Sequence, residues 1–262
     1  MAAREVLKNS AFQQPPGDAL LQLQGVHTNI GPYRILHGVD LAVPRGRVTA
    51  LLGRNGAGKT TTLRTVMGLW RARAGRVLFD GRDISRAATA AIARAGIAYV
   101  PENMGIFKLL TVGENLRVAA REGAFDPARL AWLRELFPAL GRFWDKPAGT
   151  LSGGQQQMLA IARALIEPRR LILIDEPTKG LAPAIVEQVM EVVLELRKRE
   201  VSMLLVEQNF EFASTVADEV AVIDNGRIVF VERMETLRDD PSLQDQLLGL
   251  GVAARGGPEP PA

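Results

Sequence analysis

Short apolar runs alternate along the chain with longer stretches in which apolar positions recur every three or four residues. Val48–Leu52, Leu171–Ile174 and Met203–Val206 are almost wholly apolar, as strands covered on both faces of a sheet are. Leu21–Val26 alternates apolar and polar positions, the mark of a half-buried strand, and Val77–Phe79 and Ile97–Val100 read as short strands. Thr60–Leu69 reads as a helix. So does Ala184–Arg199, whose apolar positions at 185, 186, 189, 190, 193, 194 and 196 make one buried stripe. The order strand, helix, strand over 171–206 predicts a right-handed parallel crossover. Val220–Ile223 and Ile228–Val231, joined by Asp224-Asn225-Gly226-Arg227, predict a hairpin whose turn favours positive φ. The stretch from Leu109 to Leu165 is mostly helical and interrupts the strands. The pattern predicts an α/β core with an inserted α-helical subdomain at about 104–166. Residues 1–18 and 252–262, rich in polar residues, Pro and Gly, read as tails. That leaves 19–251 as one domain.

Composition narrows the chemistry. The 262 residues contain no cysteine and two histidines, His27 and His37. Disulfide scaffolds, thiolate metal sites and Cys nucleophiles are excluded, and a His-rich metal site is disfavoured. A net charge of +3 is a small excess for this length and gives no nucleic-acid footprint. No apolar run approaches the roughly 20 residues that span a bilayer, and the N-terminus has no signal-peptide core. The expectation is a soluble, cytoplasmic chain that reaches a membrane only through a partner.

Three motifs carry the chemistry. Gly53-Arg54-Asn55-Gly56-Ala57-Gly58-Lys59-Thr60 is a Gly, four residues, then Gly-Lys-Thr, placed between an apolar strand and a helix. That is the phosphate-loop pattern. Glycines let backbone N–H groups converge on phosphate oxygens, the helix start adds its positive end, Lys59 reaches the β and γ phosphates, and the Thr60 hydroxyl can ligate Mg²⁺. A plain Gly-rich turn is the lesser alternative. Asp175 and Glu176 follow the apolar run 171–174. A carboxylate at the end of a buried parallel strand faces the ligand crevice. Asp175 is the Mg²⁺ candidate and Glu176 the residue that polarises the attacking water; two solvated acids are the alternative. Leu151-Ser152-Gly153-Gly154-Gln155 opens a helix that runs to about Ile166, with Ser152 as N-cap. It is a second anion site or simply a capped helix.

Together these motifs make the chain resemble the ATPase subunit of ATP-binding cassette (ABC) transporters from about Leu20 to Leu250, with Leu151–Gln155 matching the family signature. The resemblance implies an α/β phosphate-loop NTPase core with a mixed sheet, an antiparallel β edge subdomain and an inserted α-helical subdomain, which binds ATP and Mg²⁺. It assigns nucleotide contacts to Gly53, Asn55, Gly56, Ala57, Gly58, Lys59, Thr60 and Thr61, metal contacts to Thr60, Asp175 and Glu102, and catalysis to Glu176 and Gln208. Family members pair head to tail, so Ser152, Gly153, Gly154 and Gln155 are expected to bind the γ-phosphate of ATP held by the partner. Implied partners are a second ATPase subunit, identical or different, two transmembrane permeases and, indirectly, an external solute-binding protein. The implied place is the cytoplasmic face of the membrane.

Departures from the family pattern narrow the subgroup. Glu102 stands where Gln is usual, Gln208 where His is usual, and Leu181-Ala182-Pro183 where the loop ordinarily ends in Leu-Asp. Gln208 can hydrogen-bond a γ-phosphate without titrating near neutrality. Pro101-Glu102, Leu181-Ala182-Pro183 and Glu207-Gln208-Asn209 together resemble the ATPases of importers for branched-chain amino acids, urea and short amides. The aromatic residue that stacks on adenine has no direct match: Ile30 stands at its place, and Tyr33 is the nearest candidate, otherwise a surface aromatic. Arg54 and Lys179 are read as solvated cations before phosphate contacts. Trp132, Phe137, Phe143 and Trp144 are expected to pack mostly within the helical insertion, beside a groove that in the family receives a permease helix. His27 and His37 are read as structural or solvated. The alternatives are a cassette ATPase acting on nucleic acid or ribosomes, and a nucleotide-dependent scaffold. A single cassette without sustained heptads argues against the first, and Glu176 against the second.

Overall fold

A computed structural model describes residues 18–249. Of the expected tails, 1–18 and 252–262, all but Asp18 lie outside the described residues. The chain runs β1 (Ala19–Ile30), β2 (Tyr33–Pro44), β3 (Val48–Leu52), α1 (Lys59–Val66), β4 (Ala72–Phe79), β5 (Arg82–Asp83), α2 (Thr89–Arg94) and β6 (Ile97–Val100). There follow α3 (Val112–Ala119), α4 (Pro127–Leu136), α5 (Pro138–Arg142), α6 (Gly153–Leu165), β7 (Leu171–Asp175), α7 (Pro183–Lys198), β8 (Ser202–Glu207), α8 (Phe210–Val216), β9 (Glu219–Asp224), β10 (Arg227–Arg233), α9 (Met234–Arg238) and α10 (Pro241–Leu248).

Two sheets form. One is antiparallel, in the order β2-β1-β4-β5. The other, in the order β10-β9-β3-β8-β7-β6, is parallel except for the β9–β10 hairpin. The α/β class, the mixed sheet, the antiparallel subdomain and the helical insertion between β6 and β7 are those the sequence predicts.

The mixed sheet is the middle layer, and its side chains show why its strands are apolar throughout. Val48, Ala50, Leu52, Ile172, Ile174, Met203 and Leu205 pack with the helices on one face. Their neighbours Leu51, Leu171, Leu173, Leu204 and Val206 pack with the antiparallel sheet and α1 on the other. The period-two alternation of a strand thus feeds two cores.

Several elements depart from the pattern. β1 is twice the expected length because it continues past bulges near Gly25. β2 is not among the predicted elements: its buried Leu36, Val39, Leu41 and Val43 are split by Gly38, so the alternation breaks. The predicted helix Thr60–Leu69 stops at Val66, since Gly68 takes φ +68. Among the described residues no helix is long and apolar enough to cross a membrane.

Candidate functional site

The phosphate loop leaves the buried end of β3 and enters α1. Gly58 precedes that helix in a left-handed conformation, no side chain caps it, and no acid occupies its first turn. The free N–H groups therefore remain available to an anion. Lys59 is buried, with its ammonium donating to the Gly53 carbonyl at 2.8 Å and the Arg54 carbonyl at 3.2 Å. Thr61 is buried beneath the loop, while Asn55 and Gly56 form its exposed rim. The loop is braced from outside by the β9–β10 turn. Gly226 N–H donates to Ala57 O at 2.8 Å, and His37 N–H donates to Gly226 O at 2.8 Å. A Cβ on Gly226 would come within 1.9 Å of the Ile35 carbonyl, so only glycine fits.

The acids converge on the loop. Thr60 donates its hydroxyl to Asp175 Oδ1 at 2.9 Å, and the Tyr99 phenol donates to Oδ2 at 3.0 Å. Burial pushes the Asp175 carboxyl up, against these hydrogen bonds. Glu176 is buried in a left-handed conformation at φ +47, unusual for a side chain of its size. Its Oε1 accepts from Gln208 Nε2 at 2.7 Å and lies 3.3 Å from Lys59 Nζ, while Lys179 Nζ stands 3.2 Å from Oε2. Burial pushes this carboxyl up, but Gln208, Lys179 and Lys59 outweigh it and hold it below the usual range. Glu176 is therefore ionised at neutral pH. Gln208 also donates to Asn55 Oδ1 at 2.7 Å, closing a bridge between the loop rim and the acid.

Of the three metal candidates, Thr60 and Asp175 touch. Glu102 instead pairs with Lys179 at 2.6 Å. Lys179 is thus not merely solvated: it joins Glu102 to Glu176. Among the described residues no group of three His, Asp or Glu side chains stands ready for a metal. A hydroxyl with one carboxylate is nevertheless a hard-oxygen donor set of the kind that suits Mg²⁺, an ion that keeps waters and phosphate oxygens as its other ligands.

Ser152 caps α6 in a reciprocal box with Gln155, Oγ accepting from Gln155 N–H at 3.3 Å and Ser152 N–H donating to Gln155 Oε1 at 3.0 Å. Ser152 and Gly153 are exposed, and Gly154 is buried. A Cβ on Gly154 would fall 2.4 Å from Ile185 Cγ2, so the signature packs directly on α7. Among the described residues no hydrogen bond joins these four to the phosphate loop or its acids.

The remaining candidates scatter. Tyr33 is 73% exposed at the start of β2, three residues before Leu36, which packs under Gly58. Arg54 is exposed and lies against Gly249, just past α10. Ala182 is exposed and leads into α7 without capping it. His27 and His37 face each other across β1 and β2. Phe137 is buried, whereas Trp132, Phe143 and Trp144 are half-buried, Trp132 lying between the Arg129 and Arg199 guanidiniums.

Three contributors escaped the sequence reading: Tyr99, Gly226 and the buried Glu207. A cavity of about 390 Å³ lies against the loop, lined by Leu52, Gly53, Arg54, Asn55, Gln208 and Leu248. A larger cleft of about 960 Å³ at the other end of β3 holds none of the site residues. Its Arg45, Arg47 and Arg197 are already paired with Asp18, Asp80 and Asp218.

Comparison with known proteins agrees with this geometry. The ABC transporter family model matches residues 36–179. The chain is 40% identical over 232 residues to the high-affinity branched-chain amino acid transport ATP-binding protein BraG of Pseudomonas aeruginosa, covering 88% of this chain and 100% of that one. It is 35% identical over 236 residues to a probable branched-chain amino acid transport ATP-binding protein, LivF, of Archaeoglobus fulgidus, covering 87% and 99%. The crystal structure of a nucleotide-free ATP-binding cassette from an ABC transporter matches with a TM-score of 0.76 at 27% identity, covering 87% of this chain and 98% of that one. With the family matched over more than half of the chain and these relatives matched along almost their whole length, the chain belongs to the ABC transporter family, as an ATP-binding cassette whose ATPase activity is coupled to transport.

Proposed function

We propose that the chain is the ATP-hydrolysing subunit of an importer for branched-chain amino acids or related small solutes such as urea and short amides. It works at the cytoplasmic face of a membrane with a second ATPase subunit, identical or different, and two permeases, which an external solute-binding protein loads. The similarity to BraG along that protein's full length supports the solute class, as do Pro101-Glu102, Leu181-Ala182-Pro183 and Glu207-Gln208-Asn209. The observation that carries the ATPase reading is the ionised Glu176 held among Lys59, Lys179 and Gln208, beside the Thr60–Asp175 pair.

In this reading Lys59, Asn55, and the backbone of Gly53, Gly56, Ala57, Gly58, Thr60 and Thr61 bind the triphosphate, and Tyr33 stacks on adenine. Thr60, Asp175 and Glu102 would hold Mg²⁺. When bound, Mg²⁺ neutralises phosphate charge and polarises the bond to be broken. Lys59 exchanges its loop carbonyls for phosphate oxygens. Glu176 orients the attacking water as its base, and Gln208 turns its amide N–H from Glu176 to the γ-phosphate. Ser152, Gly153, Gly154 and Gln155 serve the nucleotide on the paired subunit. Closure follows because only the paired state makes both sets of contacts.

The test is ATP binding and steady-state hydrolysis by the full chain and by Glu176→Gln. Retained binding with turnover reduced at least about a hundredfold is expected. Hydrolysis by the variant at the wild-type rate removes Glu176 from the reaction.

A further inference from the structure

Glu207, the last residue of β8, is 2% exposed, and among the described residues no Lys or Arg forms an ion pair with it. Four donors on two loops satisfy it instead. Oε1 accepts from Thr178 N–H at 3.1 Å and from the Thr178 hydroxyl at 2.7 Å. Oε2 accepts from Gln208 N–H at 3.0 Å and Asn209 N–H at 3.1 Å.

Burying a carboxylate without a cation is unfavourable unless its hydrogen bonds are complete, and here they are. The donors lie where the backbone has few other partners. Gln208 and Asn209 form the two-residue joint between β8 and α8, and Asn209 uses its own side chain to cap α8 at Phe212. Thr178 lies two residues after Glu176. The carboxylate therefore binds the loop that follows the Glu176 carboxylate to the joint that carries Gln208, across 29 residues of sequence. From that joint Gln208 reaches Glu176 at 2.7 Å and Asn55 at 2.7 Å.

We propose that Glu207 is a positioning residue for hydrolysis: by accepting from both loops at once, it sets the distance between Gln208 and Glu176. This rests on the reading of Glu176 and Gln208 given under the proposed function. Glutamine cannot replace it, because one of its two ends is an N–H₂ donor that would face N–H donors.

The experiment uses the full chain and measures kcat and KM for Mg·ATP, with hydrogen exchange of 176–181 and 207–210 in the absence of nucleotide. For Glu207→Gln we expect kcat to fall about tenfold, as loss of a buried charge-assisted hydrogen bond implies, with KM within about twofold of wild type. Exchange rises in those two segments and not in β3 or the phosphate loop. Thr178→Val, which deletes one of the four bonds, lowers kcat about threefold, and Thr178→Ser restores it. The double variant Glu207→Gln/Gln208→Ala is no slower than Gln208→Ala alone, since Glu207 acts through Gln208. Multiplicative losses in the double variant, or loosening spread evenly over the mixed sheet, overturn the proposal. Should Glu207→Gln fail to fold, equal kcat for Thr178→Val and Thr178→Ser overturns it. A wild-type chain that hydrolyses no ATP either alone or paired with its second ATPase subunit overturns the underlying reading, and exchange at the two segments then still decides whether Glu207 ties them together.

Discussion

The phosphate-loop region and the signature region are both strand- or turn-to-helix junctions rich in glycine, yet they are finished to different degrees. Around the loop every functional side chain already has a partner: Lys59 on loop carbonyls and Glu176, Thr60 on Asp175, Gln208 on Glu176 and Asn55. Around the signature, among the described residues, the Ser152 and Gln155 side chains bond only each other's backbone N–H, and Ser152 and Gly153 face solvent. The first region is already assembled, and in the proposed function its groups exchange these internal partners for a nucleotide's. The second is an exposed, capped helix start that, among the described residues, holds no side chain from elsewhere in the chain. Among the described residues no hydrogen bond joins the two halves, an arrangement that suits the head-to-tail pairing proposed above.

The contrast can be broken or sharpened by substitution. Lys59→Ala deletes the buried ammonium, and ATP affinity measured by calorimetry is expected to fall at least about a hundredfold, roughly 2.7 kcal/mol. Ser152→Ala is expected to leave ATP binding by the single chain unchanged while lowering turnover of the paired form about tenfold. Equal effects on both would erase the distinction between the regions. Gly154→Ala forces a methyl group onto Ile185, and overpacking of this kind lowers stability by about 1–3 kcal/mol in thermal unfolding.

The smallest effect concerns pH. Glu176 titrates below its ordinary range in the folded chain, so the folded state binds fewer protons there than the unfolded one. Its contribution to stability is fully present above the ordinary carboxylate range and is lost as pH falls through the depressed value. The stability gap between wild type and Glu176→Gln, read from denaturant midpoints, is expected to narrow as pH falls below 4.5. A gap independent of pH would show that its ion pairs do not matter for folding.

Much of this was legible in the residues. Strands covered on both faces announce themselves as apolar runs, and the loop and acidic strand end have fixed spacing because phosphate geometry demands it. β2 was hidden because Gly38 and the bulges break its period. Tyr99 was read only as part of an apolar strand, and nothing local says that its hydroxyl meets Asp175. Lys179 looked like one more surface cation, since its link to Glu102 crosses 77 residues of sequence. Glu207 was noticed only as part of the Glu207-Gln208-Asn209 motif, because a carboxylate that binds only N–H and O–H donors has no charged partner in the sequence to betray its role.

The turn at Gly226 reaches beyond its role as a brace. A single residue there donates its N–H to Ala57 in the nucleotide loop and accepts, on its carbonyl, from His37 in the antiparallel sheet. Two layers that share no continuous strand are therefore gauged from one fixed point. A molecule gripped at one end by the first layer and at the other by the second meets a caliper whose jaws cannot be reset independently.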